Sequence, residues 1–208
     1  MAVASLTKMT VPLASDQSNP TQGLLMPKLK YRFRVEFQNF GVSTPRTELT
    51  KQVMDFTRPT VSFEEMTIPI YNSTIKLAGK YSWGDVTCNL RDDASGAVSK
   101  LVGEQLQKQL DFAEQASAAS GIDYKFVTQF QVLDGGNGTN APQVLETWEL
   151  YGCFLSEVNY SDMNYGTSEA ATIALTIKFD NAVQVNSAGD QVGVGQPITR
   201  TVNDVTTG

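Results

Sequence analysis

Strict two-residue alternation is the property that most constrains this chain. In residues 29–37 the apolar Leu29, Tyr31, Phe33, Val35 and Phe37 are separated by Lys30, Arg32, Arg34 and Glu36. Successive side chains of a strand point to opposite faces, so this segment reads as a strand with one buried and one wet face. The pattern recurs. Val86, Cys88 and Leu90 alternate with Asp85, Thr87, Asn89 and Arg91. Tyr124, Phe126, Phe130 and Val132 alternate with Lys125, Gln129 and Gln131. Ala171, Ile173, Leu175, Ile177 and Phe179 alternate with Thr172, Ala174, Thr176 and Lys178. Weaker runs predict strands at 74–81, at 144–151 and, after Gly152, at 153–160.

Residues 48–70 read as two strands, one holding Val53 and Phe56 and the next Val61 and Phe63. Pro59 marks the break, because proline cannot donate to a ladder. The alternation slips phase at Glu64 and Glu65 and resumes with Met66, Ile68 and Ile70, which a β-bulge or a bend would produce. One segment has the helical period instead. Val98, Leu101, Val102, Leu106, Leu110 and Ala113 form a stripe that predicts a helix over about 94–116, with Gln105 and Gln109 largely off it. Asp92 or Asp93 can cap its start, since a carboxylate accepts bonds from the free N–H groups there. The expected fold is therefore mainly β: a sandwich or barrel of antiparallel strands over 28–181 with one flanking α-helix. Segments 1–27 and 182–208 are polar and sparsely apolar, and read as extended N- and C-terminal arms.

Side-chain chemistry is restricted. The 208 residues include no histidine, the commonest general base and metal ligand. Serines and threonines thus lack their usual activator. Glu64 and Glu65 are adjacent on a strand and point apart, so they are poorly placed to converge on one atom. The glycine-rich loop 134–142 lacks the Lys and Ser/Thr pair of a phosphate-binding loop. No catalytic residue, cofactor site or metal site is expected. Cys88 and Cys153 do not make a disulfide framework and read as reduced core thiols. No run approaches the roughly 18 apolar residues of a membrane span, so no membrane anchor is expected. The 16 basic and 22 acidic residues give a net charge of −6, which argues against tight binding of nucleic acid. Many amphipathic strands would still leave sheet edges, and these must be paired, covered or blunted. A closed ring of subunits would pair them.

Three short clusters carry a family resemblance. They are Ala78-Gly79-Lys80 with Trp83 and Leu90-Arg91-Asp92-Asp93; Trp148, Leu150, Gly152, Cys153 and Phe154; and Phe179-Asp180-Asn181-Ala182. In that order around one helix, over about 31–182, the chain resembles the inner tail tube protein of contractile-tailed bacteriophages. The resemblance implies homohexameric rings stacked into a hollow tube inside a contractile sheath in the virion tail, assembled in the host cytoplasm. It implies contacts with the sheath, baseplate and tube-terminating proteins. It also implies a lumen that holds a tape measure protein and then passes DNA without specific binding. Type VI secretion and contractile bacteriocin tubes share this fold, so a bacterial injection tube is the first alternative. A carbohydrate-binding β-sandwich is the second, and it would display exposed aromatics or a calcium loop.

In such a ring the charge would be about −36, six times −6, which suits a conduit that does not hold phosphates. Lys30, Arg32 and Arg34 would oppose this unless paired or facing outward. The excursion over 47–70, with Asp55, Phe56, Pro59 and Val61 near its tip, is the expected contact between rings. The N-terminal arm is expected to bridge neighbouring subunits.

Overall fold

The computed structural model describes residues 27–43, 47–135 and 141–197. The chain divides into two units, Met1–Arg32 and Phe33–Gly208. In the first, the described residues form a turn closed by a bond from Arg32 N to Leu29 O (3.2 Å). The alternation starting at Leu29 therefore becomes a strand only from Phe33, and Tyr31 is exposed.

The second unit opens with β1 (Phe33–Gln38), α1 (Thr47–Gln52) and β2 (Val53–Phe56), then β3 (Val61–Ile70), β4 (Ser73–Trp83) and β5 (Val86–Arg91). After α2 (Ala97–Gln109) come the two-residue strands β6 (Leu110–Asp111) and β7 (Ala116–Ser117), and the short α3 (Gly121–Tyr124). β8 (Phe126–Leu133), β9 (Val144–Tyr160), β10 (Thr172–Lys178) and β11 (Asn181–Val185) complete it. The architecture is mainly antiparallel β with a flanking helix, as the alternation predicts.

Hydrogen bonds run through the order β1-β8-β9-β10-β5-β2, with β11 also on β9. The 17-residue β9 is long enough to serve two sheets. Its first half pairs with β8 and β11, and its second half with β10. The first sheet is thus β1-β8-β9-β11 and the second β9-β10-β5-β2. Inward side chains of both meet in one core: Val35, Phe37, Phe126 and Leu150 from the first; Val86, Cys88, Leu90, Ile173, Leu175 and Ile177 from the second. Phe37, Phe40 and Phe126 pack with centroids 4.9–6.3 Å apart. Phe56 of β2 stacks on Phe130 of β8 at 5.1 Å, joining the two sheets.

Three boundaries differ from the sequence expectation. The helix covers Ala97–Gln109, not 94–116. Its N-cap is Gly96 at φ 70, and the Asp93 carboxylate only reaches the Val98 amide, at 3.4 Å. At the other end the Asp111 carboxylate accepts from Ala113 N (3.0 Å), and this local turn competes with continued helix. Gln105, off the apolar stripe, is fully buried because its amide accepts from Gly41 N (3.0 Å) and donates to Tyr124 O (2.6 Å). Finally, the polar C-terminal stretch does not begin at 182. Ala182 and Val183 are buried in β11, and the chain then turns back so that Gln184 N bonds Val194 O (2.8 Å) and Val192 N bonds Gln184 O (2.9 Å). The expected N-terminal arm and the last residues, 198–208, lie outside the described residues.

Candidate functional site: an assembly interface

The corner where the first sheet becomes the second gathers the quoted motifs. Gly152 bends β9 at φ +68, a left-handed conformation that favours glycine. A Cβ there would stand 2.7 Å from Cγ and 3.2 Å from Cβ of Asp180, which turns the neighbouring chain from β10 into β11. Asp180 N bonds Tyr151 O (3.0 Å), and its carboxylate holds Lys125 Nζ at 2.6 Å. Phe179, beside it, packs on Trp83 at 5.5 Å. The three clusters therefore converge through Trp83–Phe179 and Gly152–Asp180, with Cys153 in the core, Phe154 against Tyr124 and Asn181 opening β11. Leu90 is buried, Arg91 ends β5 exposed, and Asp92 N bonds Ala171 O (2.9 Å). Trp148 packs on the core and donates its Nε1–H to Glu146 (2.6 Å). Trp83 and Trp148 thus serve packing rather than an exposed sugar platform. The gathered residues form a structural corner.

Cys88 and Cys153 are free and buried. Burial, the larger cause, and the nearby Asp55 carboxylate raise the Cys88 thiol far above its ordinary value, and burial pushes Cys153 up to about 11. Arg34 is bonded by Glu36 (2.9 Å) and Gln131 (2.9 Å), so it does not stand as a bare cation.

The excursion expected to carry Asp55, Phe56, Pro59 and Val61 at its tip is arranged differently. Asp55 and Phe56 lie in β2, inside the second sheet, where Asp55 accepts from Asn89 (3.0 Å). Pro59 sits in the joint and Val61 begins β3. The projecting element is the β3–β4 hairpin, whose turn is at Tyr71-Asn72. Backbone bonds Thr57 N to Thr87 O (2.9 Å) and Gly84 N to Thr60 O (2.8 Å) join it to β2 and β5, so one ribbon runs out of the second sheet.

Every residue of β3 is exposed. The register explains which face matters. Met66 opposes Leu77 and Ile68 opposes Ile75, while beyond the slip Phe63 opposes Tyr81 and Val61 opposes Trp83. Between Phe63–Tyr81 and Glu65–Ala78 the register gains one residue, and it lies in β4, at Gly79-Lys80, where a Cβ on Gly79 would meet Glu64 O at 3.0 Å. β3 therefore keeps its two-residue alternation: Met66, Ile68, Ile75 and Leu77 share one face, and Val61, Phe63, Tyr81 and Trp83 lie on the other. Glu65, Thr67 and Lys76 continue the face of Phe63 and Tyr81, with Lys76 Nζ 3.0 Å from Glu65. Trp83 packs on the core, and beyond the bulge the hairpin's apolar side chains lie on the face opposite to it, exposed and, among the described residues, uncovered. Met66, Ile68, Ile70, Ile75 and Leu77 are each 40–49% exposed. A two-stranded ribbon is marginal in water, and such a face marks an interaction site.

The second sheet also has open edges. Among the described residues β2 pairs only with β5, and β9 beyond Cys153 pairs only with β10. At the start of that second edge the Gln109 side chain accepts from Leu155 N and donates to Leu155 O, both at 2.9 Å, imitating a strand for one residue. The first sheet differs, since the return over 191–194 lies along β11.

Structural comparison places this arrangement among known folds. A chain of the anti-feeding prophage tube terminating cap, solved by cryo-EM, superposes with a TM-score of 0.58 at 12% identity, covering 84% of this chain and 99% of that one. The chain shares the fold of that cap chain. A chain of the six-fold symmetrised anti-feeding prophage baseplate gives a TM-score of 0.57 at 13% identity over 79% of this chain and 99% of that one. A chain from the sheath/tube terminator of an extracellular contractile injection system, in the extended state, gives 0.56 at 12% identity over 78% and 99%. No family model matches the sequence, and no curated protein matches it.

The sequence shows that sheet edges must remain and that 47–70 makes an excursion; which edges stay unpaired, and that the projecting part is the hairpin 61–83, depends on the long-range pairing.

Proposed function

We propose that the protein is a structural subunit of a contractile tail or injection assembly, forming homohexameric rings that stack into a hollow inner tube within a sheath. The observation that carries this is a sheet with both edges open and an uncovered apolar ribbon growing from one of them. Head-to-tail pairing of the β2 edge of one copy with the β9 edge of the next would close a ring, as heterologous contacts do when the rotation closes. The hairpin would then engage the adjacent ring. Contacts with a sheath, a baseplate and a tube-terminating protein follow from the same reading.

The finer reading is the inner tail tube of a contractile-tailed phage. Such a tube is assembled in the host cytoplasm, holds a tape measure protein and then passes DNA. The net charge of −6 per chain supports passage without retention. An inner tube of a bacterial contractile injection system stands beside it, favoured by the kind of assembly from which the superposed chains come.

Electron microscopy of the purified protein tests the proposal. Wild-type chains should give six-fold rings and tubes. A variant with 65–78 replaced by a two-residue turn should give rings that do not stack. A wild-type protein that stays monomeric at every concentration, with and without a nucleating baseplate, would sink the proposal.

A further inference from the structure

The second sheet has two ends. From one the β3–β4 hairpin leaves. The other is capped by loop 161–171 between β9 and β10, tied down by bonds from Ser161 N to Thr172 O (3.0 Å) and from Asp92 N to Ala171 O (2.9 Å). β5 fixes this polarity, because it enters from the hairpin joint and ends at Arg91, opposite Thr172. The loop carries exposed apolar side chains of its own: Met163 is 83% exposed and Tyr165 is 112% exposed. Both therefore stand clear of the chain that bears them.

We infer that loop 161–171 of a second copy is the surface that covers the apolar face of the hairpin. This rests on the tube reading and names the receiving site within it. Translating a copy along the strand direction makes its loop end the first structure to approach the hairpin. The two surfaces differ and lie at opposite ends, so repeating the contact builds an open stack rather than a closed pair. One face of the hairpin offers five apolar side chains, Met66, Ile68, Ile70, Ile75 and Leu77, between 40% and 49% exposed. At roughly 90 Å² each they present about 450 Å², a little over half of one partner's share of a standard interface. The loop carries Asp162 and Glu169 and no cation, while the hairpin balances Glu64 and Glu65 with Lys76 and Lys80, so its neutral charge does not oppose the approach.

Cysteine cross-linking in assembled tubes tests this. Subunits carrying Ile68→Cys or Ile75→Cys are mixed with subunits carrying Tyr165→Cys or Met163→Cys, assembled and oxidised. Cys88 and Cys153 are buried and do not compete. The expected result is a disulfide dimer from the mixture, at least ten-fold above either variant alone, and none with Thr67→Cys on the opposite face. Tubes that form normally without that dimer, or that link hairpin to hairpin, overturn the inference and leave the tube reading standing. If wild-type chains form no tube, both fall together.

Discussion

Replacing Gly152 by alanine perturbs the corner on which both sheets depend. Two costs add. The residue sits at φ +68, where a side chain costs about 1–2 kcal/mol relative to glycine. The new Cβ would also stand 2.7 Å from Asp180 Cγ, so the Asp180 side chain must swing away and release Lys125. That ion pair is largely exposed, with Asp180 at 61%, so its loss is held below about 1 kcal/mol. The sum is about 1–3 kcal/mol, or a fall in Tm of about 2–12 °C for a chain of this size. Urea unfolding of Gly152→Ala, Asp180→Ala and the double variant separates the two costs. Removing the Asp180 carboxyl relieves the collision but not the backbone strain, so the double variant should be less destabilised than the sum of the singles by about 1 kcal/mol. Strict additivity, or a Gly152→Ala cost under about 0.5 kcal/mol, would refute the collision at this corner.

Two further predictions concern α2. The Ser43 hydroxyl, the Ser43 and Val42 amides and Lys100 hold the Glu104 carboxyl down at about 2, against a partial opposing effect of burial. A depressed folded value contributes stability that is fully present above the ordinary 4.5 and is lost as pH falls from there towards 2. Glu104→Gln should therefore be less stable than wild type at pH 7, with the difference shrinking below pH 4, as read by thermal melts across that window. Gln109→Ala removes both bonds to Leu155 and leaves that edge backbone unpaired, at a cost of about 1–3 kcal/mol in urea titration. Wild-type stability in this variant would mean water replaces the side chain without loss.

How much was legible follows from which forces are local. β5, β8 and β10 were readable, with their inward residues, because period-two burial is written directly in Val86-Cys88-Leu90 and Ile173-Leu175-Ile177. The irregularity beside Glu64 was readable from the broken alternation, but its extra residue lies in β4 at Gly79-Lys80, so Val61 and Phe63 do not rejoin the face of Met66 and Ile68. Helix limits were not. Leu110 and Ala113 continue the stripe, yet the Asp111 turn ends the helix, and left-handed Gly96 delays its start. Gln105 looked like a surface residue because its two backbone partners, Gly41 and Tyr124, are distant in sequence.

By itself, then, the sequence determined the strands, their buried faces and the presence of one docking helix, since these depend on side-chain period over a few residues. Only the tertiary structure decided that β9 bends at Gly152 to serve two sheets. It alone left the β2 and β9 edges open and sent the β3–β4 ribbon beyond the core. Those outcomes depend on which strand meets which, and on what remains unpaired after every long-range partner is taken.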